Sequence, residues 1–272
     1  MAEVDFESSS TERIIDAYWA DGCVLLRNFV RLETLAKLIA LISKLYEEIE
    51  SVHVFPSDLK ERGLLDFHEY LFVEKHYELL ERLFGHDGYY VNNCTATRRV
   101  DSARAEGQWQ APLGPHLDAF FHPFAFTVNF WVPFRACGLD APSLGVVRMP
   151  FADAAVRAGY DGGSEPYGDH GEWNFARFSP EMFEWATSGG PAKVERLGAV
   201  FGERVWTPAY SLGDAMMLSN WTFHFTHVTA AMDQRRGNIE LRFSSEHSLS
   251  QITEEHAAQG ASSVLEGPRN LG

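Results

Sequence analysis

Hydrophobic positions in the first third of the chain recur at the spacing of amphipathic helices. Helical stripes cover residues 11–22, 31–52 and 64–84, and an Asp-Gly pair ends the first of them. Between the first two stripes the apolar run CVLLRNFV predicts a short strand. The pattern therefore predicts a helical N-terminal part at about residues 11–85.

Beyond residue 88 the pattern changes to short stretches rich in β-branched and aromatic residues. Examples are FTVNFWVPF, SLGVVRMP, DAMMLSNWTFHFT and NIELRFSSE, separated by connections rich in glycine and proline. Strands that recur without intervening helices favour a closed or double-sheet antiparallel architecture over a parallel βαβ sheet. We expect one domain over 1–272, with a β core at about 88–250. Residues 161–190 are bounded by glycines and rich in acids and aromatics, which predicts a lid-like insertion.

Composition excludes several classes of function. The 23 basic and 38 acidic residues give a formal charge of −15, and no basic run is present, so nucleic acid is not an expected partner. Three scattered cysteines, Cys23, Cys94 and Cys137, predict reduced thiols and not a disulfide framework. The acidic N-terminus does not resemble a signal peptide, and no apolar run reaches about 18 residues, which favours a cytoplasmic protein without a membrane span. The motifs of dinucleotide, P-loop, zincin and α/β-hydrolase sites are also missing from the sequence.

A His-x-Asp triplet, His116 and Asp118, lies between a Gly-Pro turn and an aromatic run. On a strand, residues two apart project to the same face, so these two side chains offer one nitrogen and one oxygen to a single metal ion, while Leu117 points into the core. A third ligand has to come from another strand, and GDAMMLSNWTFHFTHVT supplies candidates. Two histidines and one carboxylate on one face of an octahedron leave three positions open for substrate and dioxygen.

Two further features accompany the triplet. The Gly213-Asp214 pair opens an apolar strand that leads to His224, and Arg236 follows 12 residues later at the head of RGNIELRF. Arginine suits the two-pronged binding of a carboxylate. The arginines Arg98, Arg99 and Arg104 are predicted to be solvated surface residues.

With these residues the chain resembles the phytanoyl-CoA dioxygenase family of non-haem iron, 2-oxoglutarate-dependent oxygenases. The resemblance extends from IIDAYWADGCVLLRNFVRLETLAKL, which is similar to the family's opening helix, strand and helix, to RGNIELRF near the end. It implies a double-stranded β-helix, also called a jelly roll, which is a cupin-like fold, with N-terminal helices packed outside the barrel. It also implies Fe(II) as cofactor and 2-oxoglutarate and O2 as co-substrates, with release of succinate and CO2.

Carried over to this sequence, the resemblance implies that His116, Asp118 and His224 hold the iron. Arg236 is then the residue that binds the distal carboxylate of 2-oxoglutarate, and Thr226 matches a hydroxyl-bearing position that assists it. The expected reaction is hydroxylation, or another oxidation, of a small and fairly apolar organic molecule such as a secondary metabolite. The aromatic residues from Phe120 to Phe126 are a candidate lining for its cavity.

Several alternatives stay open at this point. Where the family has an Asn- or Ser-rich turn after the distal histidine, this chain has VTAAMDQ, which allows Arg235 instead of Arg236. FHFTHVT offers both His224 and His227; strand alternation places His224 with Thr226 on one face and favours it. A metal-binding cupin-like protein without oxygenase activity and an interaction domain without metal are the two alternatives of other classes.

Overall fold

The computed structural model describes residues 3–49, 53–85, 89–91, 95–100, 115–120, 126–150, 198–199 and 201–245. The predicted insertion at 161–190 lies outside these residues. Within them the chain forms five helices, α1–α5, and eleven strands, β1–β11. The helices are α1 Thr11–Asp21, α2 Leu32–Ile49, α3 Pro56–Lys60, α4 Phe67–Leu71 and α5 Glu74–Phe84.

Two sheets make up the β part, and they face each other. The larger sheet has the order β1-β2-β9-β6-β11-β5-β3, with β4 also paired to β11, and the smaller has the order β10-β7-β8. All pairs are antiparallel except the parallel pair of β1 with β2. The strands are β1 Glu3–Asp5, β2 Cys23–Arg27, β3 His53–Val54, β4 Tyr90–Val91, β5 Ala96–Val100, β6 Thr127–Pro133, β7 Ser143–Val147, β8 Val205–Trp206, β9 Ala215–Ser219, β10 His224–His227 and β11 Arg236–Ser244.

Strand alternation divides the core into two layers. On β11, Ile239, Leu241 and Phe243 pack in the cluster that joins the larger sheet to the helices. Directly paired residues share a face, and Glu240 is paired with Trp131, which packs in the cluster between the sheets. The even-numbered side chains of β11 therefore face the space between the two sheets. These side chains belong to Arg236, Asn238, Glu240, Arg242 and Ser244.

The predicted helix over 64–84 is broken in the structure, because Phe72 and Val73 take extended backbone angles between α4 and α5. The break brings the Phe72 ring against Phe29, Phe130 and Phe243. His76 then accepts a hydrogen bond at Nδ1 from the backbone N–H of Val73, at 3.0 Å, which caps α5. Aromatic burial and a side-chain cap thus override a continuous helical pattern.

The predicted single strand DAMMLSNWTFHFT is also divided. After β9 the chain turns at Ser219–Thr222 and crosses from the larger sheet to the smaller one, where β10 begins. The Thr222 hydroxyl donates to the Gly22 carbonyl at 2.6 Å and accepts from the Ser219 N–H at 3.0 Å, which holds the turn against the end of α1. This crossing gives His224 the first position of a strand in the smaller sheet.

Candidate metal centre

The His-x-Asp segment is tied to β10 by its backbone. His116 and His224 exchange two backbone hydrogen bonds of 3.0 Å as an isolated antiparallel bridge. Asp118 does not continue a strand, as the sequence pattern predicted, but begins a 3₁₀ turn. The Ala119 N–H donates to the Asn220 carbonyl at 2.7 Å and fixes this turn at the C-terminal end of β9. Leu117 is fully buried in the core, as predicted.

Three candidate ligand atoms meet here. His116, Asp118 and His224 each offer one atom, and all three atoms lie within 4.8 Å of one another. Asp118 Oδ1 is 3.8 Å from His116 Nε2 and 3.6 Å from His224 Nε2. An octahedral ion with bonds of about 2 Å holds neighbouring ligands about 3 Å apart. The three atoms therefore have to close by several tenths of an ångström around an ion.

The hydrogen bonding of His224 suits metal binding. Its Nδ1 lies 2.9 Å from the Thr222 carbonyl, and a carbonyl only accepts, so the neutral ring carries its proton on Nδ1 and has the lone pair on Nε2. The same Nε2 faces Asp118. A backbone carbonyl that fixes the tautomer of a histidine is a common feature of metal sites.

The electrostatics keep Asp118 ionised. Burial by itself would raise the pKa of this carboxyl, but the charge of Arg242, together with that of the two histidines whenever they are protonated, outweighs it and holds the pKa well below its usual range. An ionised carboxylate is the form that binds a metal. Two neutral nitrogens and one anionic oxygen form a donor set that fits Fe(II).

The two candidate histidines, His224 and His227, lie on opposite faces of β10. His224 and Thr226 are paired with Val146 and Leu144, which pack between the sheets, so both side chains face that interior and both are buried. His227 is paired with Ser143 and lies on the opposite face of the strand, half-buried, where burial lowers its pKa. His227 therefore does not join the cluster.

Arg236 lies in the same interior. Its side chain is almost fully buried with its guanidinium 4.9 Å from the centre of the Trp131 ring, and its Nε and Nη1 have no hydrogen-bond partner among the residues that the structure describes. Desolvation lowers the pKa of Arg236 to about 10, so it stays charged near neutral pH. A buried guanidinium with two vacant donors is costly unless an anion binds it. Arg235, by contrast, is exposed.

Sequence reasoning missed other polar residues of this interior. Arg242 and Glu240 lie beside Asp118, and Arg98, predicted at the surface, is buried on the strand next to them. Their signal was the two-residue period of RGNIELRF, which places every second residue from Arg236 on one face. Two buried amide oxygens on the same face, of Asn129 and Asn238, have no hydrogen-bond partner within the described part of the chain.

The aromatic residues of the triplet region lie partly outside the described residues, namely Phe121 and Phe124. Phe126 is fully buried against Trp19, with ring centres 5.8 Å apart, and near Phe84. It therefore belongs to the core under the helices and does not line the space beside the metal cluster. A separate surface cleft of about 960 Å³, lined among others by Arg27 and Asp214, contains none of the predicted site residues.

Comparison with known proteins gives the fold a clear set of neighbours. No family model and no curated protein matches the sequence. Among solved structures, AviO1 from Streptomyces viridochromogenes Tue57 aligns with a TM-score of 0.56 and 13% identity over 88% of this chain and 96% of that chain. The epimerase SnoN, in complex with Fe3+, alpha-ketoglutarate and nogalamycin RO, gives 0.53 and 16% over 86% and 83%. EvdO2 from Micromonospora carbonacea var. aurantiaca, complexed with 2-oxoglutarate, gives 0.54 and 12% over 88% and 92%.

These alignments cover most of each chain, and they confirm the predicted fold class, a jelly roll with helices outside it. The resemblance inferred from the sequence is thus confirmed at the level of the fold. None of the helices in the described part of the chain has both the length and the apolar character that crossing a bilayer requires.

Proposed function

We propose that this chain is a non-haem Fe(II)- and 2-oxoglutarate-dependent oxygenase that oxidises a small, fairly apolar organic molecule, such as a secondary metabolite. The observation that carries the proposal is the cluster of His116, Asp118 and His224 in a sandwich that also buries Arg236. The fold is shared with SnoN and EvdO2, whose structures contain alpha-ketoglutarate and 2-oxoglutarate. A cupin-like protein that only stores metal would have no use for a buried guanidinium with vacant donors.

Each residue has a separate task in this proposal. The two histidines and Asp118 hold Fe(II) on one face, and the remaining positions receive 2-oxoglutarate and O2. When bound, iron would activate O2 as the oxidant of both 2-oxoglutarate, which is converted to succinate and CO2, and the organic substrate. Arg236 holds the distal carboxylate of 2-oxoglutarate, and Thr226, on the same face as His224, provides a hydroxyl for it. Because these groups are buried, the charge-assisted hydrogen bond is strong and bulk water is excluded.

Hydroxylation is the outcome that we propose first. Asp118 fills the coordination position that a halide would need, so chlorination is not expected. Epimerisation is the second candidate, because SnoN is an epimerase of the same fold. Product analysis separates the two: hydroxylation adds the mass of one oxygen atom, whereas epimerisation leaves the mass unchanged.

The metal assignment is tested with a matched pair of histidine variants. We expect His224→Ala to lose stoichiometric Fe(II) binding and succinate formation, since it removes one of three ligands. His227→Ala should keep both, because that side chain lies on the other face of β10. Anaerobic Fe(II) titration and succinate release from 2-oxoglutarate measure the two effects. Loss of both in His227→Ala, with retention in His224→Ala, would reverse the assignment.

The co-substrate assignment is tested at the neighbouring arginines. A charge-assisted pair is worth roughly 2–3 kcal/mol, so Arg236→Leu should weaken 2-oxoglutarate binding by about 30- to 150-fold. Binding of Fe(II) alone should hardly change. Arg235→Leu is the control, because that side chain is exposed. If only Arg235→Leu weakened co-substrate binding, the clamp would be the preceding residue.

A further inference from the structure

The side chain of Arg242 engages one oxygen of the Asp118 carboxylate. Its Nη2 and Nε lie 3.2 and 3.4 Å from Asp118 Oδ2, and both donate to that atom. The other oxygen, Oδ1, is the one that faces the two histidine nitrogens. One oxygen of this carboxylate thus contacts Arg242, and the other faces the candidate metal position.

Glu240 holds Arg242 from the other side. Its Oε2 accepts a hydrogen bond from Arg242 Nη2 at 2.5 Å, and its Oε1 accepts one from Asn238 Nδ2 at 3.3 Å. The three side chains come from alternate positions of one strand, so they share a face and are fixed by the sheet itself. Arg242 and Glu240 together carry no net charge, so replacing both with neutral side chains leaves the net charge beside the metal site unchanged.

We propose that Arg242 is a positioning residue that makes Asp118 a one-oxygen metal ligand, with Glu240 holding and neutralising it. The inference rests on the proposed function, since it concerns the same metal site. A carboxylate free to rotate presents both oxygens to a metal and occupies two positions. With Oδ2 held by the fork of Arg242, only Oδ1 reaches the ion, and the second position stays open for co-substrate or O2.

The test removes the fork without changing the net charge. The double variant Arg242→Met/Glu240→Gln replaces one cation and one anion with neutral side chains of similar length. We expect its affinity for Co(II), measured by titration without 2-oxoglutarate, to fall by about 10- to 100-fold, the effect typical of residues that orient a metal ligand. The visible absorption of bound Co(II) should change as well, because it depends on the number and geometry of the ligands.

Two further variants exclude a merely structural effect. Arg27→Gln disrupts a second arginine–aspartate pair, the partly exposed Arg27 with the buried Asp214 at the other end of β9, and should leave Co(II) affinity and absorption unchanged. Arg242→Lys keeps the charge but offers an ammonium instead of a planar fork. It should recover part of the lost affinity, and it serves as the test if the double variant fails to fold.

The outcomes distinguish this inference from the proposed function. If the wild type binds no stoichiometric Co(II) or Fe(II), the proposed function fails and the inference fails with it. If the wild type binds metal, but Arg242→Lys and every folded Arg242 variant keep the wild-type affinity and absorption, the inference alone is overturned.

Discussion

Two aspartates at opposite ends of β9, Asp214 buried and Asp118 partly buried, are bonded in contrasting ways. Asp214 precedes the strand, and both of its oxygens accept hydrogen bonds. Oδ2 accepts from Arg27 Nη1 at 2.5 Å and from the Ser211 N–H at 2.7 Å, and Oδ1 accepts from the Asn28 N–H at 3.3 Å. This aspartate joins the loop before β9 to the end of β2.

Asp118, at the other end, has only one oxygen engaged. Oδ2 accepts from Arg242, whereas Oδ1 accepts no hydrogen bond from the described residues and faces His116 and His224. A carboxylate bonded at both oxygens contributes to stability, because its desolvation is offset. A carboxylate whose second oxygen accepts no hydrogen bond and faces two histidines can still bind a metal. An arginine partner is common to both, so the unoccupied oxygen is the feature that distinguishes a site from a structural contact.

The largest expected effect comes from exchanging each aspartate for alanine. Asp118→Ala should weaken metal binding by about 100-fold or more, yet change the free energy of unfolding by about 1 kcal/mol or less, because Arg242 keeps Glu240 as its partner. Asp214→Ala should do the opposite: it leaves Arg27 and two N–H groups without their acceptor, at a cost of about 3 kcal/mol, with metal affinity retained. Chemical denaturation and Co(II) titration measure both. If the two variants changed the free energy of unfolding and the Co(II) affinity equally, the distinction between the two aspartates would be wrong.

The contributions of the helical layer and of the metal site to stability should be lost at different pH values. Burial lowers the pKa of His76 to about 4, against 6.5 in the unfolded chain, because the charged form of the ring would lose its hydration in the core. Below pH 6.5 His76 is protonated in the unfolded state but remains neutral in the folded state until the pH approaches 4. Stability should therefore fall as pH drops from 6.5 to 4, by about 3 kcal/mol in total. The depressed pKa of Asp118 gives a contribution that is lost only below its unfolded value, about 3.9.

Denaturation of the metal-free protein at several pH values measures this loss. His76→Gln keeps a hydrogen-bonding side chain but does not titrate, so its stability should vary less between pH 6.5 and 4. An unchanged pH dependence in this variant would assign the loss to another group.

The resemblance of the sequence to a known family predicted the fold class, and the three residues that it implied as metal ligands lie together in the structure. His116 meets His224 across an isolated backbone bridge, whereas Asp118 reaches the cluster from a 3₁₀ turn that the strand pattern did not predict. The structural role of Asp214, which joins the loop before β9 to the end of β2, could not be predicted from the sequence. Its Gly-Asp pair appeared as the beginning of a strand, while its partner Arg27 lies 187 positions away.

Long-range partners also explain the other errors. Arg98 looked like a surface arginine, because a charged residue on a strand is usually exposed, and only the pairing of β5 with β11 places it between the sheets. The break between α4 and α5 depends on aromatic neighbours from the loop after β2, from β6 and from β11 that no local window contains. Tertiary packing decided these positions against the local pattern.

The smallest expected effect concerns two glycines, one on each side of the comparison. Gly145 on β7 lies opposite Phe225, the residue after His224, and a Cβ at Gly145 would collide with the Phe225 ring. Gly213 precedes Asp214 at φ 93°, and a Cβ there would lie 2.9 Å from the Val30 carbonyl oxygen. Each substitution to alanine should cost about 1–3 kcal/mol of stability, from overpacking in one case and backbone strain in the other.

Their effects on metal binding should differ. Gly145→Ala pushes Phe225 and with it the backbone of β10, so His224 moves away from Asp118 and Co(II) affinity should fall several-fold. Gly213→Ala disturbs only the Asp214 end, so its Co(II) affinity should match that of the wild type. Titration at a temperature where both variants are fully folded separates site geometry from stability. A matching loss of affinity in both would show that the two ends of β9 are coupled, contrary to the separation inferred from the two aspartates.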